Sequence, residues 1–499
     1  MTNHPATTYA DGVPSMFDDT PHPADDAGRV LLPNSEPRML ADHYIRERGR
    51  DKTGRLTLRR WNEQFWRWDG SAYQVLSKER VQAEIRELLE RVLVPKVRGN
   101  EVVRDEQGDV VFAPIKVRIR LIAEVAAAAA TTDALVETPV PGWLDGRKEP
   151  APAELVACRN GLLHLPTRTL GDSTPRYFNT GAVPLDFAST VEPPTRWLAF
   201  LDQLWPDDEQ IRETLQMMFG YLLTPDTRQQ KIFLLVGPRR SGKGTIARVL
   251  THVLGVGNVC GPTLTSMQGE FGLQPLIGTL CAIIADARLS GRADQAIIAE
   301  RLLSISGEDL LTINRKNQSM VSMQLSTRIV ILTNELPRLG DASGALSSRF
   351  ILIPFTESYL GRENLNLSDE LLAELPQIFG WSVDGWYKLR EAGHLTQPEA
   401  SAETLQELED LASPIGAFVR SRCSTEPGAR VPCSDLFVAW KSWCEEQGRR
   451  EPGTQASFAR NLRAAIPRLS TRQVRGASDR YRVYEGVQLV DAPQEEMPF

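Results

Sequence analysis

The chain has 499 residues, a net charge of −7, and ordinary shares of apolar (41%) and charged (24%) residues. That length exceeds one ordinary core and predicts about two to four domains, while the mild acidity excludes a uniformly basic coat, so any nucleic-acid contact must be local. No apolar run reaches the ~18 residues of a membrane span, and the N-terminus lacks the basic-then-apolar order of a secretory signal. The six cysteines never stand as Cys-x-x-Cys. They read as buried free thiols in a reducing compartment, which places the chain in the cytoplasm without a zinc site.

Residues 1–36 are rich in Pro, Asp, Thr and Ala, the composition of a disordered leader. Patterning begins at Arg38. Trp61, Phe65, Trp66, Trp68 and Tyr73 gather around an Asp69-Gly70 turn and predict a hairpin of aromatic strands. Such a cluster serves either as a small packed core, the simpler use, or as a stacking platform for nucleic acid. Val81 to Val94 reads as an amphipathic helix, 97–113 as a charged loop, and Ile119 to Thr132 as a helix. Short alternating segments from Cys158 to Phe187, broken by Gly and Pro, predict strands. Trp197 to Leu223 is strongly helical.

The next stretch carries the most information. An apolar run from Ile232 to Val236 ends in Gly237, Pro238, Arg239, Arg240, Ser241, Gly242, Lys243, Gly244 and Thr245. A helix-period pattern follows at Ile246, Val249, Leu250, Val253 and Leu254. Strand, glycine-framed loop and helix is the layout of a phosphate-binding loop. Glycines let backbone N–H groups turn inward around phosphate oxygens, the helix N-terminus adds partial positive charge, and Lys243 reaches the terminal phosphates. The usual motif has Ser or Thr directly after the lysine. Here that place is Gly244, and Thr245 comes one later. Some nucleoside monophosphate kinases also carry Gly-Lys-Gly-Thr, so the loop alone does not separate a kinase from a motor.

Downstream, the apolar run 280–285 closes on Asp286, the shape of a strand that holds Mg²⁺ through water. A third run, 328–333, ends in Asn334, at the strand edge where ligands sit in open α/β sheets. Asn334 there either orients an attacking water or caps a turn. Arg349 precedes the apolar strand 351–355; it is either a surface residue or a finger reaching a neighbouring subunit's nucleotide.

Residues 396–413 look like a linker. From 414 to 490 three helices and two strands follow in the order of a winged helix, with 13 basic against 7 acidic residues. Arg460 and Arg463 on the third helix and Arg475 on the wing suit duplex binding; a solvated domain for oligomer contacts is the other reading. Phe418, Leu436, Phe437, Trp440, Trp443, Phe458 and Leu462 are expected in its core. The acidic tail 491–499 ends Met-Pro-Phe, resembling the tip of bacterial single-stranded DNA-binding protein and suggesting a contact with host replication proteins.

The motifs GPRRSGKGT (237–245), AIIADAR (282–288), SGEDLLTINRK (306–316), VILTNELPRL (330–339) and SSRF (347–350) together resemble those of superfamily 3 helicases. In particular they resemble the phage and plasmid primase–helicases related to the poxvirus primase–helicase. Residues 158–165 and 197–223 resemble the associated region upstream. The resemblance implies an α/β fold: an AAA+-like P-loop ATPase core (229–395) behind an α+β N-terminal helicase-associated domain (37–190) and a helical collar (191–228), with a C-terminal winged-helix domain (414–490). It implies an ATP-dependent DNA helicase or replication initiator of a phage, prophage or plasmid-like element in a bacterial host cell, using ATP and Mg²⁺. Such proteins form a ring, typically a hexamer, and translocate 3′ to 5′ on single-stranded DNA. Lys243 and Thr245 would hold phosphates and Mg²⁺, Asp286 the metal's water shell, and Asn334 would sense the γ-phosphate. Arg349 would act across the subunit interface, and Arg315 and Lys316 would touch the DNA backbone from a pore hairpin.

Two departures stand out. Ala285 and Ala287 flank Asp286 where the family carries paired acids, so the carboxylate that activates water is not assignable; Glu308 and Asp309 are near in sequence only. The segment 1–190 shows no Asp-x-Asp strand or zinc element, so primer synthesis is not expected. A DNA-binding regulator that uses ATP only to assemble, and a nucleotide kinase, are the alternative readings.

Overall fold

The computed structural model describes residues 22–132, 134–135, 139–287, 294–337, 339, 344–449, 452–475 and 480–490. The tail 491–499 and most of the leader therefore lie outside the described residues. The chain divides into two compact units, one of 1–69 with 74–138 and one of 70–73 with 139–499.

In the first unit, β1 (Val30–Leu31) pairs parallel with β4 (Val92–Pro95), and Leu32 is buried. Regular structure thus begins inside the segment expected as leader, because Val30, Leu31 and Leu32 supply apolar surface that its Pro- and Asp-rich start lacks. Helices α1 (Pro37–Arg48), α2 (Lys78–Leu89) and α3 (Ile119–Thr132) share a core with Leu40, Tyr44, Ile85, Leu89 and Val125. Ser77 caps α2 by accepting the Arg80 N–H, and α2 stops before β4, where β-branched Val92 and Val94 favour an extended chain. β4 also pairs antiparallel with β5 (Phe112–Pro114).

The aromatic segment forms the hairpin β2 (Leu58–Trp61) and β3 (Gln64–Trp68). Its tight turn falls at Asn62 and Glu63, with φ of 47° and 62°. Two successive positive φ values match the right-handed twist of the flanking strands. Trp61, Phe65 and Trp66 are buried, and Trp66 Nε1 donates to Trp61 O. These rings serve packing.

The second unit opens with an antiparallel meander, β6 (Leu155–Cys158), β7 (Gly161–His164) and β8 (Thr169–Gly171). Helices α4 (Thr195–Leu204) and α5 (Glu209–Leu222) lead into β9 (Ile232–Val236) and α6 (Lys243–Leu254). Then come β10 (Val259–Cys260), β11 (Cys281–Ile284), α7 (Gln295–Ser306), the hairpin β12 (Leu311–Ile313) and β13 (Val321–Met323), β14 (Arg328–Thr333) and β15 (Phe350–Pro354).

Strands β10, β11, β14, β9 and β15 form a parallel sheet in that spatial order. Its strands are mostly apolar because both faces are covered, Arg328 and Thr333 at the two ends of β14 being buried polar exceptions. Phe233, Leu235, Ile351 and Ile353 face one core with α4, α5 and α6. Ile232, Leu234, Ile331 and Leu352 face another with α7. Alternation along each strand feeds the two cores in turn.

Helices α8 (Leu367–Leu372) and α9 (Leu375–Ala392) follow. Much of the expected linker 396–413 is helix α10 (Ala402–Ala412), with Leu408 buried against the sheet's second core. Its Leu spacing is helical, and the Pro398 and Glu-rich composition hid that. The last segment has α11 (Pro414–Arg422), β16 (Arg430–Pro432), α12 (Cys433–Glu446), α13 (Gln455–Ala465), β17 (Ser470–Arg475) and β18 (Arg480–Glu485). β18 lies between β16 and β17. Phe418, Leu436, Trp440, Trp443, Phe458 and Leu462 are its buried core, with Phe437 packed at the side. Among the described residues no helix is long and apolar enough to cross a membrane.

Candidate nucleotide site

The loop 237–242 leaves the C-terminal end of β9 and enters α6. Gly237 passes so close to β15 that an added Cβ would sit 2.2 Å from Phe355 O, so a side chain is excluded there. Gly242 takes φ 94°, a left-handed turn that starts α6 at Lys243. Lys243 Nζ donates to Gly237 O and Pro238 O at 2.7 Å and to Ser241 Oγ at 3.0 Å. The ammonium is thus folded across its own loop. Burial lowers its pKa to about 8, and no carboxylate offsets that cost within the loop. An anion arriving at the α6 N-terminus would supply the missing countercharge.

A cleft of about 700 Å³ opens over this loop. Arg239, Arg240, Ser241, Gly242, Lys243, Gly244 and Thr245 line it, together with Ala285 and Asn334 from the ends of β11 and β14. All come from the C-terminal edge of the sheet. Gly237 and Pro238 contribute through their carbonyls to Lys243. Gly244 is not forced by sterics, since an added Cβ there meets nothing within 4 Å. Asp286 is exposed one residue beyond the lining Ala285 and two beyond the end of β11, a strand that β14 separates from β9. Thr245 and Asp286 are oxygen donors of the kind a hard divalent cation takes, but only Thr245 lines the cleft.

The opposite wall was not legible in sequence. Arg196 and Gln203 of α4, Arg248 of α6, and Tyr359, Arg362 and Glu363 after β15 all line the cleft. Segment 358–363 is laced to the phosphate loop: Ser358 Oγ donates to Arg239 O at 2.8 Å, and Tyr359 N to Arg240 O at 2.9 Å. Tyr359 Oη in turn donates to Gln203 O at 2.9 Å. These residues come from parts of the chain with no motif spacing, so only the fold brings them together.

Arg349 lies elsewhere. It immediately precedes β15, whose first residue Phe350 pairs with Ile232 at the start of β9. Arg349 therefore sits at the N-terminal edge of the sheet, away from its own phosphate loop. Its guanidinium donates to Gln230 Oε1. Gln230 Nε2 donates to Glu308 Oε2 at 3.3 Å, and Thr227 Oγ1 donates to the other Glu308 oxygen. Glu308 is thus committed to the far edge, which leaves it unsuited to activating water at the phosphate loop of its own chain.

The hairpin β12–β13 brings Arg315 and Lys316 to its turn, but it separates their roles. Arg315 is 7% exposed, and its Nε donates to Ser319 O at 2.8 Å. The turn needs that donor for its own carbonyl, so Arg315 is withdrawn from the surface where DNA contact was expected. Lys316 is exposed, as are residues 317–320.

In the C-terminal segment Arg460, Arg463 and Arg475 are exposed. Arg463 Nη2 donates to Thr471 Oγ1 at 3.3 Å, which joins α13 to β17. Arg475 pairs across the strands with Arg480. Like charges directly opposite are unfavourable without an anionic partner.

A family model described as a family of unknown function (DUF5906) matches residues 235–349. That window contains the phosphate loop, Asp286 and Asn334 and ends on Arg349. Among solved structures the chain is similar to the A-form apo structure of the NrS-1 C-terminal region, at 13% identity and a TM-score of 0.49, over 86% of this chain and 95% of that one. It is also similar to the apo structure of the NrS-1 C-terminal region (305–718), at 12% identity and a TM-score of 0.48, over 91% of this chain and 100% of that one.

Proposed function

We propose that this chain is an ATP-driven DNA helicase of the superfamily 3 type, serving replication of a phage, prophage or plasmid-like element in the bacterial cytoplasm. One observation carries the reading. Lys243, at the start of α6, and Asn334, at the end of the neighbouring strand β14, line one cleft at the C-terminal edge of a five-stranded parallel sheet. A strand inserted between the phosphate-loop strand and the Asp286 strand supports an AAA+-like core. Backbone N–H groups of 239–245 and the α6 N-terminus would bind the phosphates, and Lys243 would neutralise the terminal ones. Asn334 would orient the attacking water. Thr245 and Asp286 would hold Mg²⁺, which when bound neutralises charge developing on the transferred phosphate.

In this reading 229–395 is the ATPase domain, 37–190 the helicase-associated region, 191–228 the collar and 414–490 a winged helix. Arg349 would complete the site of a neighbouring copy in a ring, a hexamer in the family's manner, which fits its position at the opposite sheet edge. Lys316 would track the backbone of single-stranded DNA, while Arg315 holds the hairpin turn. Arg460, Arg463 and Arg475 would contact duplex phosphates, which needs no sequence readout. The tail would recruit host replication proteins.

The test is ATP turnover with and without single-stranded DNA, in wild type and Lys243→Ala. Turnover stimulated by DNA and lost in the variant supports the motor. Asp286 standing outside the lining of the cleft favours a second reading, a DNA-binding regulator that uses ATP only to assemble. Nucleotide-dependent DNA binding without DNA-stimulated turnover would establish that one instead.

A further inference from the structure

Arg240 is a backbone outlier at the centre of the cleft. Its φ is 59°, the left-handed region that glycine adopts freely and a long side chain rarely does. Its carbonyl is held by Tyr359 N–H at 2.9 Å, and the preceding carbonyl, of Arg239, by the Ser358 hydroxyl at 2.8 Å. The surrounding structure therefore imposes the conformation. Glycine would satisfy the same backbone bonds without strain, so the backbone gives no reason for an arginine. An outlier maintained in this way points to a use for its side chain.

That side chain lines the cleft and is 66% exposed. Among the described residues it forms an ion pair with Glu363, Nε to Oε1 at 3.5 Å, beyond good hydrogen-bond length. An exposed pair of this geometry is weak and easily exchanged. Glu363 lines the same cleft. A polyphosphate entering it would offer a planar guanidinium more negative charge, and better geometry, than one distant carboxylate.

We propose that Arg240 is a phosphate-contacting side chain for the nucleotide's polyphosphate, parked on Glu363 until the nucleotide enters. This role rests on the nucleotide site proposed above and adds a cation besides the lysine of the loop. Glu363 is then a positioning residue that holds the guanidinium at the cleft wall and competes weakly with the ligand for it.

The experiment pairs thermal unfolding with titration of two ligands, a non-hydrolysable ATP analogue and inorganic tripolyphosphate, using the full chain. Arg240→Gly should raise Tm, because glycine suits a φ of 59°. It should also weaken both ligands about tenfold or more, the scale of a lost charge-assisted hydrogen bond. Arg240→Lys should recover part of the affinity. Glu363→Gln should tighten both ligands by about two- to fivefold, the scale of an exposed ion pair. A merely structural Arg240 would give higher Tm with unchanged affinity in the glycine variant, and that result overturns the proposal. Unchanged affinity in Glu363→Gln overturns the parking role. If wild type bound neither ligand, the nucleotide site itself would be wrong, an outcome distinct from both.

Discussion

The two edges of the five-stranded sheet carry arginines in contrasting settings. At the C-terminal edge, Arg239, Arg240 and Arg362 line a cleft; Arg240 has a long ion pair with Glu363, and Arg362 donates to Ser358 O and lies over the Tyr359 ring. At the N-terminal edge, Arg349 is tied to Gln230, which is tied to Glu308 and through it to Thr227. The first edge is arranged to receive an anion. The second holds a cation in a fixed position and presents no phosphate loop of its own. In the proposed reading a single chain would carry the binding half of an ATPase site at one edge and a positioned arginine at the other, and copies stacked edge to edge would combine them.

Arg349→Ala should separate the two edges most strongly. Turnover should fall about 10³-fold or more, as for a removed arginine finger, while affinity for an ATP analogue stays within about twofold because the cation lies outside its own chain's cleft. Loss of affinity in a dilute, unassembled sample, measured by calorimetry, would place Arg349 at its own phosphate loop.

The next effect is a pH dependence. Burial lets folded Lys243 release its proton near pH 8 instead of 10.5. Below about 8 the ammonium is charged and its burial costs stability, which a bound triphosphate returns. Affinity for the ATP analogue should therefore be greatest below pH 8 and fall by up to about tenfold per unit above it. A flat profile from pH 7 to 10 would contradict the buried lysine as the phosphate cation.

How much of this was legible in sequence depended on whether a residue's role is local. The phosphate loop, the strand ending at Asn334 and the C-terminal aromatic core follow from periodicity and short spacing, and the structure has each. The hairpin turn at Asn62 and Glu63 lacked the glycine that usually marks positive φ. The opposite wall of the cleft, with Arg196, Tyr359 and Glu363, is assembled from helices and loops more than 100 residues apart in sequence, and no spacing rule reaches that far. Arg315 and Lys316 look alike in sequence as adjacent basic residues at a turn, whereas the turn draws Arg315 inward to satisfy a carbonyl.

A smaller effect is expected in the C-terminal segment. Replacing Arg460, Arg463 and Arg475 with Ala should weaken duplex binding about equally for all sequences. It should also reduce the salt slope by about 1 for each of these arginines that touches a phosphate. Unchanged slopes in a fluorescence titration against salt would turn that face toward protein contacts.

The last effect concerns the first unit. Burial opposes the charge of Glu84, but hydrogen bonds from Arg67, Arg80 and Tyr44 outweigh it and hold its carboxyl at about 2. Its folded value lies below the ordinary 4.5, so its contribution is complete above that pH and is lost as pH falls toward 2. Glu84→Gln should cost about 1–3 kcal/mol at pH 7 and less at pH 3, measured by urea unfolding. An equal cost at both pH values would mean that the charge is not what the network holds.

If the nucleotide site is built from the facing edges of two copies, two inactive variants should complement each other when mixed. Lys243→Ala lacks the phosphate cation but keeps Arg349; Arg349→Ala is the converse. Mixed in equal amounts and reassembled, they should regain DNA-stimulated ATP turnover, because some interfaces then pair an intact Lys243 with an intact Arg349. A mixture no more active than the two variants measured separately would contradict the shared site.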